Sequence, residues 1–315
     1  MSNLEQYLHE PVSKLVASPF VLLSEPQKER HRIFSLLLMS LTRWYWNGNK
    51  NKRSGEYPLN PCESQGDIAT YLESDYLGHN IAAIAVDADG RVIDFEFNHN
   101  ELYNSSAEHA EARLVHRVFS LAQVHDSWNL NGGSIPEKSY GNMLTDVSFY
   151  TTLESCSQCS GIMALAMVKE VIFLQQDPSM YSIGNILRRL TAGTSLQAPL
   201  PIAGEAIGLS YYRALNEGYA DFAKQQNSKK GVPFFRQRNG HDLFSSSITS
   251  YLCTRAPYLI FKQAELAFES MDSTTLDHPN YRPSTTALTN DEAVLEAKQF
   301  YAYATRKARR GTPHH

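Results

Sequence analysis

The stretch Val147-Ser148-Phe149-Tyr150-Thr151-Thr152-Leu153-Glu154-Ser155-Cys156-Ser157-Gln158-Cys159, continued by Glu170-Val171-Ile172-Phe173-Leu174-Gln175, decides the fold. Val147 to Leu153 reads as a strand, being apolar, aromatic and β-branched over strand length. Cys156 to Val168 reads as a helix and Glu170 to Gln175 as a second strand. Strand, helix and strand in that order predict a parallel crossover, because a tight hairpin can join only antiparallel neighbours.

Upstream, Ile81 to Val86 is a compact apolar run, and Arg91 to Phe97 alternates in character. The intervening Asp87-Ala88-Asp89-Gly90 carries turn chemistry, so a β-hairpin is predicted. A helix is predicted from near Ala107 to about Val124, with Leu114, Val115, Val118, Phe119 and Ala122 as its buried stripe. The predicted class is α/β: a central mixed sheet with helices on both faces, extended by helical N- and C-terminal segments. The expected divisions are 1–78, 79–192 and 193–315.

In the flanks, Glu25 to Trp46, Ile183 to Leu190, Gly208 to Gln226 and Asp291 to Arg310 show helical spacing. Phe244 to Met271 is predicted as a helix broken at Pro257, and Asp67 to Leu77 as a further short helix. Asn47 to Pro61 and Asp126 to Thr145 collect Asn, Gly, Ser and Pro and read as loops.

Composition excludes several classes. The net charge of −4 gives no global basic field, so bulk electrostatic capture of nucleic acid is not expected. Local basic clusters at 50–53, 188–189, 229–238 and 306–310 leave a groove possible, the last having the best claim on phosphate. The four cysteines do not form a disulfide framework in a chain of 315 residues. The N-terminal residues lack a signal-peptide layout, and the apolar stretch Ile33 to Trp46 is too short and too interrupted to span a bilayer. A cytoplasmic setting without membrane attachment is expected.

The chemistry lies in Ala107-Glu108-His109-Ala110-Glu111 together with Cys156-Ser157-Gln158-Cys159. Cys at i and i+3 share a helix face, so both sulfurs can reach one ion. One imidazole and two thiolates make three zinc ligands, and a catalytic zinc keeps its fourth position open. Glu111 is then the carboxylate left over, suited to shuttling a proton. A redox Cys-x-x-Cys also follows a strand and opens a helix, but it would leave the His-x-Glu unexplained.

This constellation resembles the zinc-dependent cytidine and deoxycytidylate deaminase-like superfamily, whose His-x-Glu and Pro-Cys-x-x-Cys signature is a known pattern. Within it, Tyr150 to Gly161, and the hairpin ending in Asn98 before the His-Ala-Glu, look like the tRNA adenosine deaminase branch. The resemblance implies a three-layer deaminase-like core, Zn2+ on His109, Cys156 and Cys159, and Glu111 as catalytic acid/base. It places Asn98, Ala110 and Ser155 at the substrate. The implied reaction is attack of zinc hydroxide on an amidine carbon and loss of ammonia. The implied substrate is an adenine-, cytosine- or guanine-type base, free, in a nucleoside, or in RNA such as tRNA. Self-association as a homodimer is also expected.

Two residues depart from the pattern. Ser155 stands where a proline is usual, and Glu108 precedes His109 where a small residue is usual. Glu108 is read as an acid complementing a helix N-terminus or as a modifier of substrate preference. His99 is expected to line the pocket, His116 and His125 to be structural or on the surface, and Tyr103 and Phe149 to pack or to stack on a base. The competing reading is a catalytically idle deaminase-fold zinc protein that binds nucleic acid or serves as an assembly partner.

Overall fold

A computed structural model describes residue 7 and residues 9–46, 78–100, 102–128, 141, 144–228 and 246–307. The expected short helix at 67–77 and most of the loops at 47–61 and 126–145 lie outside the described residues, as do the basic clusters at 50–53 and 229–238.

In chain order the described elements are α1 (Val12–Val16), α2 (Glu25–Trp44), β1 (Ala82–Val86), β2 (Val92–Phe97), α3 (Ala110–Trp128), β3 (Ser148–Thr151), α4 (Ser157–Leu165) and β4 (Glu170–Phe173). They continue with α5 (Ile183–Leu190), β5 (Leu200–Ala203), α6 (Ser210–Ser228), α7 (Ile248–Tyr251), α8 (Arg255–Ser270) and α9 (Asn290–Lys307). The sheet order is β2-β1-β3-β4-β5. β1 runs antiparallel to β2 and to β3, whereas β3, β4 and β5 are parallel. The hairpin and the β3–α4–β4 crossover thus form as the sequence predicts.

β5 was not expected. Pro199 and Pro201 bracket Leu200, and proline normally argues against a strand. It is tolerated here because, among the described residues, β5 is the edge of the sheet and pairs with β4 alone. Pro257 also departs from expectation: it sits in the first turn of α8 rather than breaking a helix. An N–H there has no intrahelical acceptor to lose, so proline costs little. The interruption falls instead at Leu252–Thr254, between α7 and α8.

Both sheet faces are covered. On one, Ala83, Ala85, Phe149 and Val171 pack with Leu114, Val115 and Val118 of α3 and Met163 of α4. On the other, Ala82, Ile84, Tyr150, Ile172 and Ile202 pack against α2. α2 begins at a capping box, in which the Ser24 N–H donates to Gln27 Oε1 at 2.9 Å. Its Ile33, Leu37, Leu38, Met39 and Leu41 are wholly buried because α8 and α9 pack against it as well as the sheet. The N- and C-terminal helical segments therefore share one core with the sheet.

Polar groups lock these segments together. Glu29 Oε1 accepts the Asp277 N–H, and Oε2 accepts the His278 N–H and Asn290 Nδ2. Arg30 donates to the carbonyls of Asp89 and Leu288, tying the hairpin turn to the C-terminal segment. At that turn Gly90 has φ +91°, where an added Cβ would also strike the Arg30 guanidinium at 2.0 Å. Among the described residues no helix is long and apolar enough to cross a membrane.

β2 alternates as predicted, with an unexpected face buried. Asp94 and Glu96 point inward and pair with Arg117 and Arg113 of α3. Phe95 and Phe97 turn the other way and meet Tyr45, with Phe300 against Phe95. Helices cover both faces of this strand, so its polar side is satisfied by arginines rather than by water.

Two stability predictions arise here. A Cβ at Gly218 in α6 would lie 2.3 Å from Tyr251 Oη, and Tyr251 is fully buried. Gly218→Ala gains up to about 1 kcal/mol of helix propensity but pays roughly 1–3 kcal/mol of overpacking, so a lower urea midpoint is expected. An unchanged or higher midpoint would show that Tyr251 has room to retreat.

The second concerns His31, whose Nδ1 lies 2.9 Å from Tyr150 Oη. Burial holds its pKa down at about 4, against the pull of nearby Glu170. A histidine depressed on folding contributes stability above its unfolded pKa near 6.5 and loses it as pH falls toward about 4. The loss amounts to about 3 kcal/mol across that window. Urea titrations at pH 7 and pH 4.5 should show this slope reduced in His31→Gln; equal slopes in the two proteins would contradict it.

Candidate metal centre

Two loops deliver the expected ligands. β2 ends at Phe97, just before Asn98, and the chain returns to start α3 at Ala110, so His109 sits immediately before the helix. β3 ends at Thr151, and Cys156 is the N-cap of α4, which places Cys159 one turn into that helix. Antiparallel β1 lies between β2 and β3, which brings both helix starts to one end of the sheet. Gln158 Nε2 donates to the Ala107 carbonyl at 2.8 Å, stitching the two loops together.

His109 Nδ1 lies 3.4 Å from Cys156 Sγ and 3.6 Å from Cys159 Sγ. One ligand atom from each of the three residues falls within 4.8 Å of the others. A tetrahedral zinc with Zn–S near 2.3 Å and Zn–N near 2.05 Å separates sulfur from nitrogen by about 3.5 Å. The observed spacings fit that edge, and the donor set is one that zinc prefers. Cys159 is fully buried, and His109 and Cys156 are half-buried, so the centre is reached from the His109–Cys156 side.

Hydrogen bonding within the trio shifts its two thiols in opposite directions. The contacts of Cys156 with Cys159 and His109 pull its thiol down to about 4. Cys159 is pushed well up by Cys156 and by burial, and the bond to Cys156 raises His109. The favoured thiolate, Cys156, sits at a helix N-terminus, where the dipole supports negative charge.

Glu111 stands beside the trio at 3% exposure. Its Oε2 lies 3.3 Å from Cys159 Sγ, and its Oε1 accepts the Ser155 hydroxyl at 3.0 Å. Burial raises its carboxyl above the ordinary glutamate range. Thr151 Oγ1 is 3.4 Å from the same Oε1 and 3.1 Å from the Leu153 carbonyl.

Asn98, Ala110 and Ser155 all come to the site, each with a specific partner. Asn98 Oδ1 accepts the Ala110 N–H at 2.7 Å, so Asn98 caps α3 and uses the amide of Ala110. Among the described residues its buried Nδ2 has no hydrogen-bond partner. Ala110 itself is fully buried. A Cβ at Gly78 would lie 2.2 Å from the Asn98 carbonyl oxygen, so a glycine is what lets the chain pass behind Asn98.

Glu108 pairs with Arg113 at 2.6 Å, and Arg113 also meets Glu96 and lies over the Tyr103 ring. The acid that the sequence sets beside the ligand is thereby neutralised within a partly buried network. His99 belongs to the same network: burial depresses it to about 4, beside Arg113 and Glu96. Its ring meets Tyr103 edge-on. Phe149 is a core residue at 0% exposure. Arg188 and Arg189 each donate to a backbone carbonyl, of Ala198 and Ala17, which gives this basic pair structural bonds.

Comparison with known proteins agrees with the geometry. Residues 66–175 match the family model for the cytidine and deoxycytidylate deaminase zinc-binding region. That stretch contains all three donors and Glu111, so the chain carries a deaminase-type zinc-binding region. No curated protein sequence matches.

Among solved structures, one from a study of A-to-I editing by tRNA:A34 deaminases is 23% identical. It covers 42% of this chain and 83% of its own, with a TM-score of 0.30. A guanine deaminase from Nitrosomonas europaea is 17% identical, covering 65% and 95%, with a TM-score of 0.31. A diaminohydroxyphosphoribosylaminopyrimidine deaminase/5-amino-6-(5-phosphoribosylamino)uracil reductase from Thermotoga maritima is 16% identical, covering 48% and 36%, with a TM-score of 0.30.

Proposed function

We propose that this chain, with a deaminase-type zinc-binding region over residues 66–175, is a hydrolytic deaminase of a nucleobase that is free, in a nucleoside, or in RNA such as tRNA. The observation that carries the proposal is Glu111: a buried carboxylate directed at a three-donor metal centre and anchored by its other oxygen. Zinc, when bound by His109, Cys156 and Cys159, supplies a Lewis acid that makes the attacking water more acidic.

Glu111 accepts a proton from that water at Oε2 and returns it to the ring nitrogen of the amidine. The second proton of the water leaves with the exocyclic nitrogen as ammonia, and a carbonyl remains. Burial raises this carboxyl above the ordinary glutamate range, the direction that suits a group that both takes and gives a proton. The Nδ2 of Asn98, which has no hydrogen-bond partner among the described residues, offers a donor to an acceptor on the base, and its Oδ1 keeps the His109 loop in place. Adenine-, cytosine- and guanine-type bases all present the required amidine.

Ammonia release should be measured over free bases, nucleosides and bulk tRNA, with Glu111→Ala as control. Activity on one class that disappears in the variant supports the proposal. Release from none by the zinc-loaded protein would overturn it.

A further inference from the structure

We propose that Ser155 is a positioning residue: its hydroxyl fixes which oxygen of Glu111 faces the metal centre and keeps the carboxylate off the metal. The proposal rests on the reading of Glu111 as proton carrier. The two oxygens of Glu111 have different surroundings, Oε1 accepting from Ser155 and Oε2 lying against Cys159 Sγ. Thr151 does not serve as the anchor, because its single hydroxyl proton has the shorter contact with the Leu153 carbonyl.

Ser155 is itself held. It is 5% exposed, and its carbonyl accepts the Ser160 hydroxyl from within α4. A proline at this position would supply no hydroxyl, so the departure from the usual deaminase pattern adds a hydrogen bond to the carboxylate.

The anchor is needed because the terminal torsion of glutamate is broad and nearly two-fold. With Oε1 released, the carboxylate can turn toward the ion that His109, Cys156 and Cys159 hold. It would then fill the position that hydrolysis requires open.

The test compares Ser155→Val with Ser155→Thr, which match each other in shape and differ in the hydroxyl, and adds Ser155→Ala. Each protein is loaded with Co2+, whose visible absorption reports the ligands around it. The spectrum should change in Ser155→Val and Ser155→Ala and stay near wild type in Ser155→Thr. In a Glu111→Gln background, Ser155→Ala should leave the spectrum as it is in Glu111→Gln alone. In turnover, kcat should fall about 10- to 100-fold in Ser155→Val with KM nearly constant, and Ser155→Thr should recover most of it.

Wild-type spectra in both hydroxyl-free variants, or the same spectral change with Glu111 absent, would overturn the proposal. If wild-type protein releases no ammonia from any substrate, the deaminase reading fails. The cobalt spectra still decide the role of Ser155, because they need no turnover.

Discussion

Glu111→Ala is expected to cut ammonia release by roughly 10²–10⁴-fold, the usual worth of a positioned acid/base, while the protein still binds zinc. The two effects separate because Glu111 lies outside the three-donor set. Stability should move little, or upward. A carboxyl whose pKa is raised by burial opposes folding at neutral pH, so removing it relieves a cost even as Ser155 loses its partner. Steady-state rates on the most reactive substrate class, with thermal midpoints of both proteins, check this. A variant that keeps most of its rate would remove Glu111 from the chemistry.

The largest stability effect is expected at Arg43. Its guanidinium forms a buried ion pair with Glu265 at 3.1 Å, each side chain 7% exposed, and lies over the Tyr258 ring. Tyr301 donates its hydroxyl to the other oxygen of Glu265 at 2.8 Å, so the network joins α2, α8 and α9. Arg43→Met leaves Glu265 buried and unpaired, which costs about 3–5 kcal/mol.

Arg43→Met with Glu265→Leu should recover much of that loss, because two apolar side chains need no desolvation of charge. Urea unfolding of the two single variants and the double variant closes the cycle. Additive losses would mean that the ion pair does not couple the helices.

Much of the architecture was legible because both strand pairs announce themselves locally. The run Ile81 to Val86 with its Asp-Gly turn, and the run Val147 to Leu153 before Cys156, have lengths and residue types that suit strands. β5 was hidden by Pro201, which is compatible with a strand only at a sheet edge, and no local pattern reveals an edge.

α2 was recognisable as a helix but not as the middle of the molecule. Leu36, Leu37, Leu38 and Met39 in succession signal burial on several sides, without naming what covers each side. The inward-facing Asp94 and Glu96 reverse the usual alternation, since their arginine partners come from α3, about 20 residues later in the chain.

At the metal centre, the His-x-Glu and Cys-x-x-Cys spacings carried the ligand set, because each pair sits within one helical turn. The bond from Ser155 to Glu111 was not legible, since it spans 44 residues and joins the first turn of α3 to the loop before α4. Nor did the sequence show that Glu108 is neutralised by Arg113. Side-chain partners between separate elements depend on how the elements dock, which periodicity does not encode.

The most direct measurement is the zinc content per chain, by elemental analysis, of wild type, Glu111→Gln and Cys156→Ser purified side by side. One zinc per chain is expected in wild type and in Glu111→Gln, and a marked loss in Cys156→Ser. Loss of zinc in Glu111→Gln, or full retention in Cys156→Ser, would contradict a centre built from His109, Cys156 and Cys159 with Glu111 held free to carry protons.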